Sequence, residues 1–180
     1  MKLADKILFD LMNFAQGGRD IVIPNFYYDW YEMDLFRLTH SGIIYEYEVK
    51  ISRADFKADF EKGYQLFSGN RSNKHSDIVY QKYKVNKFYF VVPKGLIKPE
   101  EVPSRYGLIY YDPAKGWDKW VVIRPAKMLR PKFEVDYAAI AFKLSFRESI
   151  MRIRLRRYKA DYKELLHDVG KADTVKVGIE

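Results

Sequence analysis

Apolar residues recur at helical spacing near the start of the chain, at Leu3, Ile7, Leu11 and Phe14. One such stripe predicts a helix over residues 3–15, stopped by Gly17-Gly18. The short apolar run Ile21 to Ile23, ended by Pro24, reads as an edge segment. Two strand-like stretches follow, Tyr28–Leu38 and Ile43–Ile51, rich in aromatic and branched residues and joined by the turn Thr39-His40-Ser41-Gly42. Ser52 then caps a new helix, with Asp55 three residues on, and Phe56, Phe60 and Tyr64 continue its apolar face. Ser68–Asn73 breaks it, and a second helical piece is expected over roughly residues 74–83.

Lys87–Pro93 (KFYFVVP) has the pattern of a buried strand ended by proline. Pro99–Val102 suits a short helical turn, Gly107–Tyr111 a strand, Asp112–Gly116 a turn and Trp117–Ile123 a further strand. From Val135 to His167 there is neither proline nor glycine, and Leu144, Met151, Leu155, Tyr158, Tyr162 and Leu165 mark an apolar stripe. Residues 168–180 read as a loose tail. The order of elements predicts an α/β fold, a mixed central sheet flanked by helices, rather than alternating βαβ units. Residues 1–134 are expected to form the main domain, with a basic helix and tail, residues 135–180, packed on it.

Composition narrows the chemistry. The 180 residues contain no cysteine, which excludes disulfides, a thiolate nucleophile and a cysteine zinc site. No apolar run approaches a membrane span, and charges at Asp5, Lys6 and Asp10 interrupt any signal-peptide core. A cytoplasmic protein with no membrane partner is the expectation. The net charge is +8, with 15 Tyr, 12 Phe and 3 Trp, which points to a polyanion such as nucleic acid. Half of that excess lies in residues 137–180, where 10 basic side chains face 6 acidic ones.

The strand Ile44-Tyr45-Glu46-Tyr47-Glu48-Val49-Lys50-Ile51 places Glu46, Glu48 and Lys50 on one face and Tyr45, Tyr47, Val49 and Ile51 on the other. On the preceding strand Glu32 and Asp34 share a face. Antiparallel pairing sets Asp34 opposite Glu48 if Thr39 faces Ile43 across a three-residue loop with Gly42 in the left-handed conformation. Carboxylates at Asp34 and Glu48, with the backbone carbonyl of Val49, can hold Mg²⁺ (or Mn²⁺) and leave positions open for water and phosphate. Lys50 can then orient the attacking water or stabilise charge on the phosphate. The same pattern also fits the solvated face of an amphipathic hairpin.

Asp34, Glu48-Val49-Lys50 and the following Ser52-Arg53-Ala54-Asp55-Phe56-Lys57-Ala58-Asp59 resemble the PD-(D/E)XK nuclease superfamily, most closely the MmcB-like DNA-repair proteins and their phage-borne relatives. Phe88–Pro93, Gly95-Leu96-Ile97, Val102-Pro103 and Gly107-Leu108-Ile109 extend the likeness over roughly residues 3–125. The resemblance implies a restriction-endonuclease-like core, Asp34 and Glu48 as metal ligands, a catalytic Lys50, and a bacterial or phage-infected host cell. Met33 stands where the superfamily has its namesake proline. Asp10 is the candidate for the acidic residue that many relatives carry on the first helix. Lys74-His75, in a segment that looks inserted, is the candidate for a basic residue that relatives place after the second helix.

Two basic surfaces are candidates for DNA contact. Arg71, Lys74, Lys82, Lys84 and Lys87 are interleaved with Tyr80 and Tyr83, and Arg152, Arg156, Lys159 and Lys163 form a stripe on the last helix. Arg53 and His75 join them, His75 as a phosphate contact or proton donor. Each stripe also fits an ordinary solvated helix face. The tyrosines of Phe26-Tyr27-Tyr28-Asp29-Trp30-Tyr31 are expected to pack on the sheet, and His40 to serve its turn. Three functional classes remain open: a Mg²⁺-dependent deoxyribonuclease, a non-catalytic DNA-binding protein on the same fold, and an RNA- or protein-binding domain. A homodimer is left open.

Overall fold

The structure, a computed structural model, describes residues 1–16, 18–65 and 71–176, without the side chains of residues 64, 65, 71 and 165–176. Two compact units divide the chain, Met1–Glu134 and Val135–Glu180. The first contains α1 (Leu3–Ala15), β1 (Ile21–Tyr28), β2 (Tyr31–Leu38), β3 (Ile44–Val49), α2 (Arg53–Glu61), β4 (Gly63–Gln65), β5 (Arg71–Asn73), α3 (Lys74–Val79), β6 (Lys87–Pro93), β7 (Gly107–Tyr111) and β8 (Trp120–Arg124). The second is one helix, α4 (Tyr137–Lys176). The fold is α/β. Its centre is a six-stranded mixed sheet in the order β1-β2-β3-β6-β7-β8, parallel at β3–β6 and β6–β7 and antiparallel elsewhere.

The β2–β3 hairpin adopts the expected register. Leu35 pairs with Tyr47 and Leu38 with Ile44, Thr39 N–H donates to Ile43 O, and Gly42 has φ +78. A side chain at Gly42 would be strained by that φ and would also press on Lys132 Cε at 3.0 Å. Ser52 Oγ accepts from Asp55 N–H and caps α2, as its sequence predicts.

Several elements differ from expectation. α3 stops at Val79 rather than near residue 83, and β8 starts at Trp120 because Trp117 lies in a short helical turn. The segment read as a strand from Tyr28 is two strands: Asp29, at φ +55, turns the chain, and Tyr28 pairs with Tyr31 across a two-residue loop. β1 runs through Pro24, which an edge strand tolerates because one side of its backbone has no ladder to supply. α2 ends at Glu61, so Tyr64 belongs to the small β4–β5 ribbon instead of the helix. α4 continues through most of the expected tail to Lys176. The expected stop at Gly17, the break at residues 68–70 and the last four residues of the tail lie outside the described residues.

The two faces of the sheet are packed differently. Against α1, Ile7, Leu11 and Ala15 meet Leu35, Tyr47, Val49, Tyr89, Val91 and Ile109, an apolar layer with Tyr47 and Tyr89 stacked at 5.4 Å. On the other face, rings from α2 and α3 meet rings from β6: Phe56 lies 4.9 Å from Phe90, and Phe60 stacks on His75 at 4.4 Å. Glu46, Glu48, Lys50, Asp59 and His75 are buried as well. A buried charge is tolerable only when paired and hydrogen-bonded, so these five need each other.

α4 is capped by Asp136, whose Oδ1 accepts from Ala139 N–H at 2.8 Å. Forty residues at about 1.5 Å rise make it roughly 60 Å long. Phe142, Phe146, Met151, Leu155, Tyr158 and Tyr162 are exposed along it. No helix among the described residues is long and apolar enough to cross a membrane.

Candidate active site

A cleft of about 370 Å³ opens at the C-terminal end of β3, lined by residues that include Glu32, Asp34, Glu48, Val49, Lys50, Asp59, Lys62 and Lys74. The paired residues of β1 and β2 skip Asn25 and Asp34, and Asn25 has φ +46. That irregularity leaves Asp34 out of the ladder, and its Oδ2 instead accepts the Val49 N–H at 2.7 Å. Burial, with Glu48 nearby, pushes the Asp34 carboxyl up to about 6, against the pull of Val49 N–H, Lys50 and Lys74.

Glu48 is held by two ammonium groups. Lys50 Nζ donates to its Oε2 at 2.9 Å and Lys74 Nζ to its Oε1 at 2.6 Å. Lys74 also reaches Glu46 Oε1 (2.7 Å) and the Glu32 carbonyl (2.8 Å). Burial opposes the charge on both lysines, yet the carboxylates around them hold both above the ordinary lysine range. Lys50 is therefore a fixed positive charge at neutral pH. It has no basic lone pair to offer.

Behind Lys50 lies α2. Lys50 Nζ also donates to Asp59 Oδ1 at 2.5 Å, and Asp59 Oδ2 meets His75 Nε2 at 2.9 Å. His75 Nδ1 lies 3.1 Å from the Tyr106 hydroxyl. Burial alone would raise Asp59, but the bonds to His75 and Lys50 hold it well below the usual carboxylate range. At the other end of the chain of contacts, Glu46 is fully buried, and burial pushes it up against the opposing pull of Lys74. Among the described residues its Oε2 has no hydrogen-bond partner of good geometry, nor has the buried Tyr83 hydroxyl, which burial and the proximity of Glu46 raise strongly.

The cleft is thus lined by Asp34, Glu48, Val49, Lys50 and Lys74, whereas Arg53, His75, Lys82 and Lys84 make their contacts elsewhere in the first unit. His75 is buried, with both ring nitrogens engaged internally. Arg53 pairs with Glu101 and donates to the Leu96 carbonyl. Lys82 lies over the Tyr80 ring, and the Lys84 backbone N–H donates to Asp29. Arg71 lies in β5, its side chain outside the described set. Arg152 and Arg156 are exposed on α4, with Arg152 bonded to Glu148. Asp10 is not in the cleft; it accepts from Tyr111 Oη and pairs with Lys119.

Asp59, Glu46 and Tyr106 have no expected role in the sequence reading. One signal for Asp59 was present: it sits three residues after Phe56 and one before Phe60, on the core-facing stripe of α2, where a carboxylate must find a buried partner. Tyr106, in a loop, carries no such signal.

Among the described residues no three His, Asp or Glu side chains gather as a ready ligand set for a metal. The donors present still fit a hard cation. They are all oxygen, and one cation, the Lys74 ammonium, already sits among Glu46, Glu48 and the Glu32 carbonyl. Mg²⁺ commonly takes only one or two carboxylates and completes its shell with water and phosphate.

No protein-family model and no curated protein matches the chain. A solved structure does share its fold. It is a protein of unknown function from Silicibacter pomeroyi, 16% identical, matched over 87% of this chain and 92% of that one with a TM-score of 0.55. The likeness extends the α/β architecture to a second sequence and carries no activity with it.

Proposed function

We propose that the chain is a Mg²⁺-dependent nuclease that hydrolyses phosphodiester bonds in DNA, with Asp34, Glu48 and the Val49 carbonyl as metal ligands and Lys50 as the catalytic lysine. The observation that carries this reading is Lys50 Nζ held 2.9 Å from Glu48 Oε2 in a cleft that Asp34 also lines. The likeness of Glu48-Val49-Lys50 and the Ser52 helix to the PD-(D/E)XK superfamily supports it, and makes DNA repair or phage DNA handling inside the cell the expected setting. When bound, Mg²⁺ supplies Lewis-acid polarisation of a phosphate oxygen and a more acidic water.

The chain's own residues do the rest. Lys50, kept protonated by Glu48 and Asp59, faces developing phosphate charge as a preorganised cation, worth most in a site with little water. Asp59 and His75 are positioning residues: Asp59 holds the ammonium, and His75 holds Asp59. Lys74 balances the second oxygen of Glu48 and one oxygen of Glu46.

The test is cleavage of single-stranded, duplex and branched DNA with and without Mg²⁺, by wild type and Lys50→Ala. Equal cleavage by both proteins, or none of any substrate, rejects the enzymatic reading. One observation favours a second reading, a non-catalytic DNA-binding protein: each Glu48 oxygen is paired with a lysine ammonium. That protein would bind DNA with steep salt dependence, indifferent to Mg²⁺ and to Lys50→Ala.

A further inference from the structure

We propose that the tip of the β1–β2 hairpin is a stacking subsite for an unpaired nucleobase, so that the cleft takes single-stranded DNA, or the single-stranded part of a branched DNA, in preference to duplex. The inference rests on the cleft being a DNA site and names the form of DNA it accepts. Trp30 and Tyr27 line the same cleft as Asp34, Glu48 and Lys50, and they are 58% and 57% exposed. Their neighbours Phe26, Tyr28 and Tyr31 are buried, so the expectation that the tyrosines of this segment pack on the sheet holds for Tyr28 and Tyr31 and not for Tyr27. Burying a large apolar side chain is worth roughly 1.5–3 kcal/mol, and the core does not collect it from Trp30 or Tyr27.

The tip that carries these rings is braced. Trp30 occupies a two-residue turn closed by the Tyr28–Tyr31 pair, and Asp29 adopts φ +55 within it. Asp29 Oδ2 accepts the Lys84 backbone N–H at 3.2 Å, tying the tip to the segment before β6. Beneath it, Tyr31 Oη donates to Asp77 Oδ2 at 2.7 Å, anchoring the start of β2 to α3. An indole on a tethered turn loses little conformational entropy when a base stacks on it.

Size and charge select among nucleic acids. About 370 Å³ lies near the lower end of the roughly 300–1,000 Å³ that encloses a single small ligand, room for about one nucleotide inside the cleft. In a duplex the base faces are already stacked on one another, and only edges are presented in the grooves. An unpaired base offers a free face, and an aromatic platform takes it irrespective of sequence. Lys62, 63% exposed on its side chain, lines the cleft and provides a cation for the backbone that follows such a base.

The test is binding rather than cleavage. The full-length chain is titrated in EDTA with a labelled oligothymidylate, the duplex of the same length and the matching single-stranded RNA, using anisotropy and tryptophan fluorescence. Wild type binds the single strand more tightly than the duplex, and binding quenches a signal that Trp30→Phe removes. Trp30→Ala weakens single-strand binding roughly tenfold or more, Tyr27→Ala less, and Trp30→Phe retains most of it, because a ring is kept. Both positions are exposed, and unchanged thermal melts establish that the variants fold. Equal affinity for duplex, tighter binding of the RNA, or single-strand binding unaffected by Trp30→Ala overturns the subsite. Since no bond is cleaved, these outcomes are independent of the Lys50→Ala result: hydrolysis can fail with the stacking effect intact, and the reverse.

Discussion

Strand β3 shows two proteins in one. Its α1-facing side chains, Tyr47 and Val49, join a layer in which the buried contacts are apolar and aromatic. Its other face carries Glu46, Glu48 and Lys50, buried to a similar degree but joined by ion pairs to Lys74 and Asp59. An apolar layer gains from every contact. A buried charge network merely recovers what desolvation took, and well-packed hydrophobic residues would often be as stable. The α1 face thus holds the fold together, and the α2/α3 face holds charges in place for a task.

The sharpest break of that comparison is in activity. Lys50→Ala is expected to lower Mg²⁺-dependent DNA cleavage on the order of 10²–10³-fold, as removing one preorganised charge-stabilising group does elsewhere. Tyr47→Phe, on the opposite face of the same strand, should leave the rate nearly unchanged. Steady-state cleavage assays of the two variants decide it, and comparable losses would erase the division of labour.

In stability the two faces should respond at similar size but with different pH behaviour. Asp59→Ala leaves His75 Nε2 without its carboxylate and Lys50 with Glu48 alone, and is expected to cost about 3–5 kcal/mol at neutral pH. Because Asp59 is held below its unfolded value, its contribution is present above about pH 4 and is lost as the pH falls through the folded pKa. The gap between wild type and variant should therefore shrink in acid. Leu11→Ala, in the apolar layer, should cost about 2–5 kcal/mol with no such narrowing. Urea unfolding from pH 3 to 7 measures both.

Asp34 should behave in the opposite sense. Its folded value, about 6, lies above the unfolded one, so the stability linked to its proton is present below about pH 4 and lost as the pH rises through 6. Asp34→Asn keeps an acceptor for the Val49 N–H and should be roughly 1–2 kcal/mol more stable than wild type at pH 7, with the difference closing toward pH 4. A variant that loses stability at pH 7 would show that the carboxylate serves structure rather than a task. The smallest effect is expected on α4: the exposed Arg152–Glu148 pair should contribute about 0.5 kcal/mol or less, so Arg152→Ala barely moves the melt. If DNA touches that helix, the same variant lowers the salt slope of binding by about one.

Local features were readable from the chain. Alternation on β3 sorted its side chains to two faces, and the three-residue loop with Gly42 set the β2–β3 register that brings Asp34 toward Glu48. The Ser52 cap, α1 and β6 follow from spacing and punctuation in the same way. The hairpin at Asp29-Trp30 was not legible, since Asp-Trp is no standard turn signal and the strand pattern runs through it unbroken. Nor was the extent of α4, where Gly170 weakens but does not end a helix.

Side-chain period and capping act over a few residues, so the chain's local pattern sorts residues to strand faces and marks where helices begin. Which charges neutralise one another depends on long-range packing. Lys74 reaches Glu48 across 26 positions and His75 reaches Asp59 across 16, contacts made by docking α2 and α3 on the sheet. The tertiary structure likewise left Trp30 and Tyr27 exposed beside the cleft while it buried their neighbours. Burial and ion pairing depend on what arrives from elsewhere in the chain, and no local pattern encodes that.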